Sequence, residues 1–205
     1  MIDDTRVVAI LPARGGSKRL FRKNLRDILP GVSLLDFAVR KLLKSRYVDE
    51  IVVSTEDPEI LDKAFNLSLV SRTGKKVVAH HRAEEFSQDG TLIMEVVRHV
   101  LESYKSFAGV VLVHQVDHPM TKTADFDLAL ERLDTSDGVS AVVSVNQDGR
   151  QNGAIRVISS AVIGKKCLEY VIATVRTEYP QIDIHTEYDL LEAVGTVYSV
   201  GGEKW

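Results

Sequence analysis

Between Leu11 and Asn24 the chain reads LPARGGSKRLFRKN, and the ten residues from Arg14 to Lys23 include five Lys/Arg: Arg14, Lys18, Arg19, Arg22 and Lys23. Charges held that close repel one another unless an anion lies between them: a phosphate group, a nucleic-acid backbone or solvent ions. Gly15 and Gly16 allow a tight backbone turn that points N–H groups at an anion with no Cβ in the way. Arg14, Lys18 and Lys23 would add formal charge around a triphosphate. The loop taken alone fits equally well a glycine turn with a solvated basic rim. Two common phosphate fingerprints are absent: G-x-G-x-x-G does not occur, and adjacent Gly15-Gly16 followed by Ser17-Lys18 breaks G-x-x-x-x-G-K-[ST].

A triphosphate also calls for a divalent cation, and that needs carboxylates, which the basic loop lacks. Asp117, in Gln115-Val116-Asp117-His118-Pro119, and Asp183, in Ile182-Asp183-Ile184-His185-Thr186-Glu187, are two carboxylates outside it. Either aspartate also fits a turn or a helix cap. His80, His81, His114, His118 and His185 lack an H-x-x-x-H helix with an accompanying glutamate, and strand alternation accounts for most of them. They do not read as a dedicated zinc site.

These residues need a scaffold, and the apolar pattern supplies one. Val7–Leu11, Ile51–Ser54, Gly109–His114 and Val139–Val145 are short runs rich in Val and Ile, as strands covered on both faces should be. Between the first two, Ser33 to Ser45 spaces Leu34, Leu35, Ala38, Leu42 and Leu43 for a helix, with Ser33 as N-cap. Asp57-Pro58 opens a second helix, Asp89 to Tyr104 is a third, and Thr123 to Leu133 a fourth. Thr186 would cap a last helix over Glu187–Val194. The alternation predicts a three-layer α/β sandwich with a mostly parallel sheet. In such sheets ligands bind at the carboxyl ends of the strands, where both the basic loop and His114–Pro119 emerge.

The 205 residues suit one domain covering 1–205, and no interdomain linker stands out. Net charge is −3, so the basic loop is local, and nucleic acid is not the expected partner. Cys167 is the single cysteine, which excludes an internal disulfide. No stretch is apolar enough to span a membrane, and MIDDTR lacks the build of a signal peptide. A cytoplasmic location without membrane attachment is expected.

The opening loop resembles the signature of the cytidylyltransferases that activate acidic sugars, the CMP-sialic acid synthetase family. Four further segments are similar in the same order. Glu50–Asp57 (EIVVSTED) resembles the family's second strand ending in S-T-[DE]-D. His81–Glu84 followed by Gln88–Thr91 is similar to R-P-x-E…D-x-[TS]. Gln151–Ile155 resembles N-G-A-[IL], and Ile182–Glu187 resembles I-D-I-D-T-E. The likeness runs from about Val7 to Ala193. It implies a Rossmann-like sandwich of the nucleotide-diphospho-sugar transferase type, moving CMP from CTP to an acceptor oxygen and releasing pyrophosphate. Charge moving onto the departing pyrophosphate needs fixed cations and a bridging metal.

Residue by residue, the resemblance implies nucleotide binding by Leu11, Ala13, Arg14, Gly15, Gly16, Ser17, Lys18, Lys23, Asn24, Arg82 and Gln115. Asn24, Arg82 and Gln115 fall to base or ribose contacts. Arg14, Lys18, Asp117 and Asp183 are the implied catalytic residues. Gln115–Pro119 is similar to the Q-G-D-E-P of sister enzymes that activate Kdo, whose aspartate binds magnesium. Asp117 and Asp183 would thus hold Mg2+, with Mn2+ as the alternative ion.

Two departures qualify the carry-over. His185 stands where the family has a second aspartate, and imidazole is a poor magnesium ligand. Only Asn146 to Gln151 separate Val139–Val145 from N-G-A, where the family carries a long arm that reaches across a dimer. Any homodimer must use another surface. The expected acceptor is a small anion: an acidic sugar such as a nonulosonic or ulosonic acid, or a phosphonate. The rival readings are a nucleotide-binding regulatory module without turnover and a nucleotidyltransferase using another NTP.

Overall fold

Strand β1, Val7–Pro12, lies inside the sheet, third from one edge, with five of its six residues buried. The computed structural model describes residues 5–70, 73–104, 107, 109–135, 138–163 and 171–200; Met1–Asp4 and Cys167 lie outside them. On one side of β1 come β4 (Glu50–Thr55) and β5 (Lys76–His81); on the other come β6 (Val110–His114), β8 (Gln151–Ser159), β7 (Val139–Val145) and β9 (Val171–Arg176). All neighbours pair parallel except β8, which runs antiparallel to both β6 and β7. The seven-stranded sheet is therefore mixed but mostly parallel, as expected. A short hairpin of β2 (Asp27–Leu29) and β3 (Val32–Ser33) follows the basic loop.

The helices start where their capping residues stand. Ser33 caps α1 (Leu34–Lys44) in a capping box with Asp36, each side chain accepting from the other's backbone N–H. Asp57 accepts from the N–H groups of Glu59 and Ile60 at the head of α2 (Pro58–Val70). Thr186 and Asp189 form the box that opens α5 (Glu187–Ser199), while α4 is Thr123–Thr135. The third helix differs from expectation. It is α3, Ile93–Glu102, and starts four residues after Asp89. Gly90, at φ +98°, holds a backbone no helix accommodates, so Asp89 stays in a loop.

Residues of α1, α2, α4 and α5 join Val7, Ala9 and Leu11 in the larger core on one sheet face. On the other, Val97 and Val100 of α3 pack on Val8, Ile10, Val52, Val111 and Val113. Helices on both faces give the three-layer sandwich. Because β1, β4, β5 and β6 are parallel, their carboxyl ends deliver Pro12, Thr55, His81 and His114 to one edge. Antiparallel β8 starts at that edge, with Gln151.

Candidate active site

A cleft of about 490 Å3 opens at this edge. Arg14, Ser17, Lys18, Lys23, Asn24, Arg82, Gln115 and Asp117 all line it. Leu11 and Ala13 are completely buried and are not among its lining residues. Gly15 has no room for a side chain, since a Cβ there would come within 2.2 Å of Asp57 Oδ2, whereas Gly16 stands in open space. The Gly15 N–H donates to Glu56 Oε1 at 2.8 Å, and the other Glu56 oxygen pairs with Arg82 at 3.0 Å. Burial pushes the Glu56 carboxyl up, but hydrogen bonds from its own backbone, Arg82 and Gly15 outweigh it and leave it below its ordinary value. Asn24 is buried and its amide donates to Arg14 O at 2.9 Å, which closes the loop on itself.

Two sets of ion pairs divide the cleft. Asp89 takes both Arg14 (2.6 Å) and Lys18 (2.5 Å), bringing one exposed carboxylate to the position where the loop can hold an anion. Opposite, Lys23 Nζ donates to Asp117 Oδ2 at 2.5 Å and to Ile184 O at 2.9 Å. Asp117 also accepts from His118 Nδ1 at 3.1 Å. Burial would raise the Asp117 pKa, yet the His118 hydrogen bond and the Lys23 charge hold it well below the carboxylate range. Buried Lys41 of α1 supports this loop from beneath by donating to Pro119 O and Thr121 O.

The backbone joins Asp117 to the segment after β9 through Ile184 N to Asp117 O at 3.1 Å. That link brings Asp183 close: donor atoms of Asp117, His118 and Asp183 lie within 4.8 Å of one another. Both His118 ring nitrogens face oxygens, Asp117 Oδ1 and Asn152 O. His185 is likewise engaged, with Nε2 on Asp183 Oδ2 at 2.8 Å and Nδ1 on Arg19 at 2.9 Å. His114 lies in the core, where burial and the Lys41 charge lower its pKa to about 3. Its Nδ1–H donates to Ala154 O at 2.8 Å and ties β6 to β8.

Sequence reasoning had assigned no site role to Glu56, Asp89 or His118. Glu56 and Asp89 sit in quoted segments, but only the fold brings them against Gly15, Arg14 and Lys18.

The sequence pattern of the family described as cytidylyltransferase matches residues 8–166. The chain belongs to this family. Among curated relatives, a pseudaminic acid cytidylyltransferase of Campylobacter jejuni is 46% identical over 57 residues, covering 28% of this chain and 24% of the relative. A CMP-N,N'-diacetyllegionaminic acid synthase of Legionella pneumophila is 32% identical over 129 residues, 62% of this chain and 52% of the relative. The matches thus span about half the relatives' length or less. A solved CMP:2-keto-3-deoxy-manno-octonic acid synthetase complexed with CTP shares the fold, with a TM-score of 0.75 at 14% identity, covering 96% of this chain and all of that one.

Proposed function

We propose that the chain transfers CMP from CTP to a small anionic acceptor, an acidic sugar such as a nonulosonic or ulosonic acid, or a phosphonate. The observation that carries this reading is the cleft itself, where a basic glycine loop faces a half-buried, ionised Asp117 across one sheet edge. An acceptor oxygen attacks the α-phosphorus, the bond to the bridging oxygen of the β-phosphate breaks, and pyrophosphate leaves. The acceptor's proton passes to solvent. Arg14 and Lys18 take up charge on the departing phosphates, and Lys23 adds positive charge from the Asp117 side of the cleft. Asn24, Arg82 and Gln115 offer the donors and acceptors that a cytosine edge or ribose requires.

Asp117 and Asp183 supply hard oxygen donors of the kind magnesium prefers. In this structure an ammonium, Lys23 Nζ, sits between Asp117 Oδ2 and Ile184 O, so the pocket already favours a cation. Asp117 and Asp183 would hold Mg2+ or Mn2+, which when bound screens the phosphates and polarises the α-phosphorus. The short connection of β7 to β8, Asn146 to Arg150, supports reading residues 1–205 as one domain that lacks the dimer-crossing arm, with any homodimer forming through another surface. Among the described residues no helix is long and apolar enough to cross a membrane, and a CTP-consuming reaction fits the cytoplasm.

The deciding experiment is pyrophosphate release with CTP, UTP, ATP or GTP, each with Mg2+ or Mn2+, against a panel of acidic sugars and phosphonates. Release with CTP and one acceptor is expected. CTP binding without release from any combination would instead identify a nucleotide-binding module, and release with another nucleotide alone would overturn the CTP assignment.

A further inference from the structure

A second, smaller cavity of about 60 Å3 opens beside the cleft and shares Ile93 and Gln115 with it. Val113 of β6, Arg156 of β8 and Val143 of β7 form its floor. Arg156 pairs directly with Val113 on one side and Val143 on the other, so all three side chains stand on one sheet face. On that face α3 packs over β1, β4 and β6, whereas α4 covers β7, β8 and β9 from the opposite side. Among the described residues no helix lies over Arg156.

A guanidinium is out of place on an apolar strand face unless it has a task. Arg156 is half-buried between two valines, and among the described residues no hydrogen bond or ion pair reaches its side chain. The cations of the neighbouring cleft differ. Arg14 and Lys18 pair with Asp89, Lys23 with Asp117, Arg82 with Glu56, and Arg19 contacts His185. Two other polar groups of the small cavity are engaged, Ser144 Oγ with Asn152 and Ile155, and Gln115 Nε2 with Gly153 O. The fork of Arg156 is therefore free for an incoming planar anion, which a carboxylate matches bidentately. The cavity admits a group of that size and no sugar ring, so it receives one end of a larger molecule whose remainder lies in the cleft.

We propose that Arg156 anchors the acceptor by its carboxylate, directing the acceptor's hydroxyl towards the α-phosphate in the adjoining cleft. The assignment rests on the CMP-transfer reading and narrows its acceptor class to carboxylic acids. Arg156 is then a residue that sets acceptor specificity, within the same subunit that binds the nucleotide.

The test uses the whole chain, wild type, Arg156→Lys and Arg156→Met, each checked for folding by circular dichroism. Probes are N-acetylneuraminic, pseudaminic, N,N'-diacetyllegionaminic and 3-deoxy-manno-octulosonic acids, each with its methyl ester, and 2-aminoethylphosphonate. KM for acceptor and CTP is read from pyrophosphate release, and acid and ester binding to the CMP-loaded protein from ligand-observed NMR. Arg156→Met should raise the acid's KM by about 10- to 100-fold, the range for losing a charge-assisted hydrogen bond, while KM for CTP stays put. Preference for acid over ester should vanish in Arg156→Met and survive in part in Arg156→Lys. An unchanged acid-over-ester preference in Arg156→Met overturns the anchor while leaving the transferase reading intact, and turnover of the phosphonate above every acid overturns the carboxylate class. If wild type turns over none of the probes, the transferase reading fails on its own and binding decides. An acid preference that Arg156→Met abolishes still supports the anchor, and its absence in wild type overturns it.

Discussion

Two sets of ion pairs face one another across the cleft, built from the same kinds of group but in opposite settings. Lys18 and Asp89 are 79% and 51% exposed in their side chains, while Lys23 and Asp117 are 13% and 16% exposed. A solvent-exposed pair is screened by water and salt and contributes little, so Asp89 could be replaced by an incoming polyanion at little cost. Removing one member of a buried pair costs about 3–5 kcal/mol, because the other charge stays behind unpaired. One wall of the cleft is exchangeable and the other is fixed in advance. Charge stabilisation during phosphoryl transfer demands such fixed groups, and substrate entry demands exchangeable ones.

The largest expected effect follows from breaking the fixed wall. Asp117→Asn should lower turnover with saturating Mg2+ by about two orders of magnitude or more, on the scale of about 3–4 kcal/mol for one preorganised electrostatic group. It should also lower the melting temperature, because Lys23 then stays buried against a neutral amide. Asp183 makes the control: its side chain is 47% exposed, so Asp183→Asn should match the loss of turnover with little loss of stability. Normal turnover in both variants would place the metal site elsewhere.

Burial at the same edge also makes stability depend on pH. His114 has a folded pKa of about 3 against an ordinary value of about 6.5. Between those values the unfolded chain binds the proton and the folded chain does not, so protons favour unfolding. Stability should fall as pH drops from about 6.5 towards about 3, by up to about 1.4 kcal/mol per pH unit from this group. Denaturant titrations at several pH values should show a shallower slope in His114→Leu. An identical slope in that variant would assign the acid sensitivity to other groups.

The exchangeable wall should respond in binding and not in stability. Arg14→Ala or Lys18→Ala should weaken CTP affinity about 10- to 100-fold, and, being exposed, shift unfolding by no more than about 0.5 kcal/mol. Calorimetric titration with CTP checks the first and thermal denaturation the second. Equal CTP affinity in wild type and both variants would reduce the loop to a solvated basic rim.

The asymmetry also marks how far sequence reading reached. Strands β1, β4, β6 and β7 were legible because each is a Val/Ile run buried on both faces. Edge strands β5 and β9 were not, since Lys76, His81, Thr174 and Arg176 are exposed and interrupt the apolar signal. Caps Ser33, Asp57 and Thr186 were legible because a cap bonds within three residues of itself. The start of α3 was misplaced because the positive φ of Gly90 is not written in its neighbours' types. The same limit applies at the site. Motif segments located the loop and both aspartates, but Asp89 meets Arg14 across 75 positions of sequence and Lys23 meets Asp117 across 94. Strand order alone makes those pairs, and the order β5-β4-β1-β6-β8-β7-β9 follows from packing of the whole chain.

The smallest expected effect is the finest test of the exchangeable wall. If Asp89 holds Arg14 and Lys18 only until a triphosphate arrives, binding must first break those pairs, and the broken pairs offset part of the gain. Arg14 and Lys18 hold the Asp89 carboxyl below its ordinary pKa, so it is ionised and competing at neutral pH. Asp89→Asn keeps the shape and removes the competing charge. CTP affinity should then rise a few-fold, and the gain should shrink as salt screens the wild-type contact. In a Lys18→Ala background the gain should be smaller, since one of the two contacts is already gone. Weaker CTP binding by Asp89→Asn would show the opposite role, a direct nucleotide or metal contact. The two walls would then differ in burial but not in kind.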